Sequence, residues 1–134
     1  MCIRDSVGAV HAFAETVGAW FDTPHGVANS LFLPYIMEFN IPACPERFAD
    51  IADAMGIERE ESMSDEQYAL KAVEYVKALN RKLNIPTIKE IKGITEERFE
   101  AIAERSANNV LSNDNARKIT KEDYLELLKK AYNE

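Results

Sequence analysis

The chain has 134 residues, 46% of them hydrophobic and 29% charged, with a formal net charge of −7 at neutral pH. That length suits one domain burying roughly two-thirds of its unfolded surface, and the acidic balance argues against nucleic acid as a partner, since phosphates demand a basic face. Two cysteines make no disulfide framework, so Cys44 reads as a free thiol in a reducing, cytoplasmic compartment; the longest apolar run, Leu31 to Met37, is interrupted by Pro34 and falls far short of the ~20 residues that span a bilayer, which leaves no membrane segment.

Apolar residues recur at spacings of three and four, with no alternating stretch long enough for a strand, so the expected fold is an all-α helical bundle. The stretch Val10 to Asn29, VHAFAETVGAWFDTPHGVAN, reads as helix, sharp turn, helix. In Asp22-Thr23-Pro24 the residue before proline is pushed out of the α region, Thr can N-cap, and Pro is favoured at the first helical position. Phe13, Trp20 and Phe21 are read mainly as helix-packing residues. Pro45 to Met55 should form a helix stopped by Gly56, burying Phe48, Ile51, Ala52 and Met55. Ser64 and Gln67 make a capping-box pattern ahead of a helix to about Leu83, with Leu70, Val73, Val76, Ala78 and Leu79 on its apolar side. Thr95 should cap a helix carrying Phe99, Ile102 and Ala103. Asn108 to Lys118 reads as a loop, and Thr120 as the cap of a last helix with Tyr124, Leu127, Leu128 and Ala131.

Both histidines, His11 and His25, lie on the opening pair of helices. On one straight helix they would sit roughly 21 Å apart; the turn lets His11 face inward from the first helix while His25 enters from the first turn of the second. Two imidazoles converging at a helix corner suit a metal site. From residue types alone, a histidine beside apolar residues is more often an ordinary core or surface group, and two ligands fall short of the four that zinc usually takes.

The segment GAVHAFAETVGAWFDTPHGVANSLFLPYIMEFN, starting at Gly8, resembles the signature of the iron-containing alcohol dehydrogenases of group III. Gly8, His11, Ala12, Gly18, the turn from Asp22 to Gly26, Ala28, Asn29 and the pair Leu33-Pro34 fall in one ungapped register. Asp50-Ile51-Ala52, Met55-Gly56, Ala78-Leu79-Asn80, Ile85-Pro86, Asn115, Arg117, Thr120, Glu122 and Asp123 resemble the family's pattern too, so the likeness runs from about Val7 to the end. It implies the helical C-terminal domain of a two-domain metal-dependent dehydrogenase. In that family one Asp and three His hold a catalytic divalent metal, usually Fe2+ although Zn2+ or another ion is possible, and the last two histidines fall on His11 and His25.

The remaining two ligands, and the domain that binds NAD(P) through a Gly-rich turn, belong to the segment that precedes this one in the family. The expectation is therefore a domain over residues 7–134 truncated at its N-terminal side, with MCIRDS, residues 1–6, a non-native leader that does not continue the pattern. The implied reaction passes a hydride between a small alcohol or aldehyde and NAD(P), with the metal as Lewis acid, in a full-length protein that is a homo-oligomer. The isolated chain should bind metal weakly and not turn over. A stand-alone helical metal- or partner-binding module without redox activity, and a fragment of a glycerol-dehydrogenase-like zinc enzyme, stay open as alternatives.

One departure from the family concerns Glu15, where many members carry another His. Positions i and i+4 share a helical face, so Glu15 would stand one turn from His11 and could accept a proton, orient water or hydrogen-bond a neighbour, or simply be a solvated carboxylate. Asp22 could cap the turn or brace His25. Asn115-Ala116-Arg117 stands where the family commonly has Asn-Pro-Arg, and Leu111, just before it, is the candidate for a substrate-pocket residue.

Overall fold

The computed structural model describes the backbone of residues 2–109 and 117–133, and the side chains of 9–109 and 117–133. Among the described residues the protein is all-α: α1 Cys2–Phe21, α2 His25–Asn40, α3 Pro45–Ala54, α4 Asp65–Lys82, α5 Phe99–Asn108 and α6 Lys121–Asn133, with three short 3-10 turns between them. The three-and-four spacing of apolar residues encodes this pattern.

The turn between α1 and α2 forms where expected but by a different device. Asp22 takes a left-handed backbone (φ 49°) that reverses the chain. Pro24, with φ −54° and ψ 136°, is the residue before α2 and not its first helical residue. Its carbonyl accepts from Ala28 N at 3.0 Å, starting the helical ladder. Thr23 does not cap α2, because its hydroxyl donates backward to Phe21 O at 3.4 Å. The returning strand of chain passes so close to α1 that a Cβ at Gly18 would stand 3.2 Å from Thr23 O, which is why a residue without a side chain suits that position.

Pro34 lies inside α2 and does not end it. Proline has no N–H for the carbonyl four residues earlier, which leaves Ser30 O without its helical donor. Asn80 of α4 supplies one, its side-chain amide donating to Ser30 O at 2.7 Å. The helix continues through the proline because a neighbouring helix serves the orphaned carbonyl.

Two hydrophobic clusters divide the interior. The larger joins α1, α2, α5 and α6 around Phe13, Phe32, Ile102, Tyr124 and Leu128. The smaller joins the C-terminal end of α2 to α3 and α4 around Phe48, Ala52, Tyr68, Ala72 and Val73, and Leu33 packs against both. The caps that bound α3 and α4 are those legible in the sequence. Pro45 opens α3, and Gly56 takes φ +78° just past its end. Ser64 and Gln67 form the reciprocal capping box, with Gln67 N donating to Ser64 Oγ at 3.2 Å and Ser64 N to Gln67 Oε1 at 3.0 Å.

The apolar faces need correction. Ile51, Leu70 and Leu79 are 37%, 42% and 40% exposed, Ala78 is exposed and Met55 only half-buried. α4 buries Tyr68, Ala69, Ala72, Val73 and Val76 instead. Small alanines face α3, so the two helices approach closely along that stripe, and the larger leucines fall outside it. At Thr95 a 3-10 turn, Glu96–Arg98, precedes α5, and the Thr95 side chain makes no capping bond. Its carbonyl accepts from Arg98 N at 2.9 Å. Thr120 does cap α6: its hydroxyl accepts from Asp123 N at 3.3 Å, and the Asp123 carboxylate accepts from Thr120 N at 2.9 Å. Phe99, Ile102, Ala103, Tyr124, Leu128 and Ala131 are buried as expected, and Leu127 is half-buried. Cys44 is a buried free thiol, and no helix among the described residues is long and apolar enough to cross a membrane.

Candidate metal centre

His11 sits on α1 between the buried Val10 and Ala12 and is itself half-buried. His25 is the first residue of α2 and exposed. The turn at Asp22 folds α2 back so that the two imidazoles stack, ring centroids 5.2 Å apart and planes inclined by 30°. The stack brings the nitrogen-bearing edges of two imidazoles to one corner of the fold, and a metal ion would lie in the plane of each ring, about 2.0–2.1 Å from its nitrogen for an ion such as zinc.

Behind the pair, α1 is held firmly. Phe13 is fully buried and its ring lies on Phe32, centroids 3.8 Å apart at 17°. Thr16 donates to Ala12 O at 3.1 Å and accepts from Ser106 of α5 at 3.4 Å, both buried. The hydroxyl of the buried Tyr124 of α6 reaches Ala9 O at 3.4 Å.

The donor set fits half of a metal's first shell. Among the described residues no group of three or more His, Cys, Asp or Glu side chains is placed to hold an ion, so the two imidazoles are the donors this part of the chain offers. One further atom suits such a centre. Asn29 Oδ1 is buried without a hydrogen-bond partner. Asn29 follows His25 by one helical turn, and helical side chains lean toward the preceding turn, which places this amide on the His25 face. Metal-bound histidines commonly donate their second N–H to such an oxygen.

Glu15 stands one turn along α1 from His11, exposed, but its carboxylate is already engaged: Oε2 accepts from Asn109 Nδ2 at the end of α5, at 2.7 Å. The bond is short and charge-assisted and ties α1 to α5 beside the histidines. The aromatic neighbours act in packing. Phe21 lies half-buried against the larger cluster. Trp20 is 38% exposed, edge-on to Phe21 at 6.5 Å, with the Arg105 guanidinium 5.4 Å from its ring centre. Asp22 contributes its left-handed backbone. Leu111, Asn115 and Ala116 lie outside the described residues; Arg117 donates to Phe39 O at 3.0 Å and lies over the Phe39 ring at 4.3 Å. Sequence reasoning assigned no site role to Asn29 or Asn109. The i+4 spacing from His25 was visible for Asn29, but neither its burial nor the distant partnership of Asn109 leaves a local signal.

Residues 4–132 match the family described as Fe-containing alcohol dehydrogenase family, C-terminal. Lactaldehyde reductase of Escherichia coli (strain K12) is 40% identical over 126 residues, which make up 94% of this chain and 33% of that protein. The 1,3-propanediol dehydrogenase of Citrobacter freundii is 34% identical over 127 residues, 95% of this chain and 33% of that protein. Among solved structures, an alcohol dehydrogenase from Oenococcus oeni is similar with a TM-score of 0.84 and 40% identity, over 92% of this chain and 32% of that one. The chain spans about a third of the length of the curated relatives it matches.

Proposed function

Because this chain belongs to the Fe-containing alcohol dehydrogenase family, we propose that it is the helical, metal-holding part of an oxidoreductase that passes a hydride between a small alcohol or aldehyde and NAD(P), with His11 and His25 as two of the metal's ligands. The observation that carries this reading is the stacking of the only two histidines of the chain at 5.2 Å, across a turn that reverses the backbone. A divalent ion held there, iron or zinc, supplies a Lewis acid for the substrate oxygen. The chain's own residues do the rest of what is proposed here. His11 and His25 would ligate as neutral imidazoles through one nitrogen each. With a metal held there, Asn29 Oδ1, which has no hydrogen-bond partner of its own, would accept from the second nitrogen of His25 and fix its tautomer. Glu15, held by Asn109, orients the His11 face of α1 against α5. The other ligands and the nicotinamide-binding residues come from a segment other than residues 7–134, in a cytoplasmic protein that is oligomeric when complete.

Divalent-ion binding tests the ligand assignment directly. The 134-residue chain is expected to bind Zn2+ or Fe2+ weakly, at one site, and to lose that site in His11→Ala and in His25→Ala. Stoichiometric binding that survives both substitutions would sink the assignment. In a polypeptide completed to the relatives' length, His25→Ala should abolish metal-dependent NAD(P)H formation from small primary alcohols and diols. Full activity in that variant, with metal retained, would refute the role in catalysis.

A further inference from the structure

The imidazole pair is half of a metal centre. Zinc in a closed site takes four nitrogen or sulfur donors in a tetrahedron, whereas among the described residues no third His, Cys, Asp or Glu side chain is grouped with His11 and His25. Glu15, one turn from His11, is bonded to Asn109 Nδ2 at 2.7 Å. Two positions on a zinc ion held here are therefore open. The corner that presents the pair stands at the surface: Pro24, His25 and Gly26 are exposed in succession, and a Cβ added at Gly26 would meet no atom of the described residues within 4 Å. The glycine itself adds no bulk, so another chain can come close at that point.

A second copy of this chain carries the missing donors in the same arrangement. When two copies meet about a twofold axis, one patch faces its own equivalent, and an ion on that axis meets His11 and His25 of each copy. We propose that Zn2+ joins two copies of the 134-residue chain in this way, with their corners at residues 24–26 in contact. The inference rests on the ligand assignment above and adds the source of the other two donors for this chain. Each copy carries a net charge of −7, a repulsion that about 0.15 M salt screens beyond about 8 Å. The surfaces themselves offer no charge attraction, so the pairing depends on the ion and reverses when the ion is removed. Donors from another segment of a longer polypeptide would compete for the same two positions.

Sedimentation velocity on the 134-residue chain at about 0.15 M salt, first with half an equivalent of Zn2+ and then with EDTA, is the test. The mass should double with zinc, at one ion per two chains, and fall back to that of one chain with EDTA. His25→Ala, a change to an exposed side chain, should abolish the doubling, as should His11→Ala; the His25 variant carries the test by itself if the half-buried His11 variant does not fold. Gly26→Gln keeps both ligands and puts a side chain where the second copy approaches, so it should weaken the zinc-dependent pairing about tenfold. A chain that binds one zinc and stays single overturns the shared site while the ligand assignment stands, and a chain that binds no zinc overturns both. Doubling that persists in His25→Ala or in EDTA, or that is unchanged in Gly26→Gln, also overturns the proposal, because bonds from zinc to imidazoles across these corners would then not be what joins the copies.

Discussion

The α3–α4 pair and the α1–α2 pair are both two helices joined by a reversal of the chain, yet they are held together in different ways. In α3–α4 the polar contacts are local: the Ser64–Gln67 capping box, the Arg59–Asp65 ion pair at 2.9 Å, and the Tyr68 hydroxyl on Ile57 O. In α1–α2 they reach far along the chain, from Ser30 to Asn80, Glu15 to Asn109, Thr16 to Ser106 and Ala9 to Tyr124. The smaller cluster can form from one short stretch, while the histidine pair depends on α4, α5 and α6 arriving. The candidate site therefore sits on the part of the molecule whose geometry is least determined locally.

Truncating one buried aromatic ring in each region separates them most sharply. Phe13→Ala and Phe48→Ala should each cost about 3–5 kcal/mol in urea denaturation, both rings being 2% exposed or less. Only Phe13→Ala should also weaken divalent-ion binding, because its ring stacks on Phe32 and so holds α1, which carries His11, against α2, which carries His25. Equal loss of ion affinity in a folded Phe48→Ala variant would show that the two clusters act as one.

The seam between the regions gives the next effect. Asn80→Ala leaves Ser30 O, next to Pro34, without its donor and should cost about 1–3 kcal/mol. Adding Pro34→Ala restores a backbone N–H for that carbonyl, so the double variant should be more stable than the sum of the two singles predicts. Strict additivity would refute the pairing. A local change in α3–α4 should be milder: Ser64→Ala removes the α4 cap for about 1 kcal/mol and should leave ion binding untouched.

The smallest effect joins α5 to α6. The hydrogen bond from Lys121 to Glu100, 3.0 Å long, raises the Lys121 pKa above its usual value, helped by the nearby charges of Glu104 and Glu122. A raised lysine favours the folded state below its unfolded pKa, and that contribution fades as pH climbs through the folded value. With Lys121 open to solvent, Glu100→Gln should lower its pKa in an NMR titration while thermal stability at neutral pH stays nearly unchanged.

How far the sequence could be read follows the same division. Pro45, Gly56, Ser64 with Gln67, and Thr120 announce helix ends through bonds made within one turn, and each functions as read. Thr23 and Thr95 carry the same local signal and do not cap, because nearby backbone geometry takes the hydroxyl elsewhere or leaves it unused. Leu70 and Leu79 look like core residues on α4 by hydrophobicity, yet Tyr68, Ala69 and Ala72 are buried, since the approach of α3 decides which stripe is covered. At the candidate site the spacing of His11, the Asp22-Thr23-Pro24 break and His25 was legible; the Glu15 bond to Asn109 and the buried Asn29 oxygen were not.

By itself, then, the sequence determined the helical class, most helix ends and the family to which the chain belongs, because periodicity, caps and motif residues act through neighbours a few positions apart. Only the tertiary structure decided that α2 runs through Pro34, that the two imidazoles meet, and that Glu15 is engaged by α5. Each of these depends on which helix packs opposite, and that partner lies tens of residues away, where a buried donor or an aromatic ring is satisfied by proximity in space.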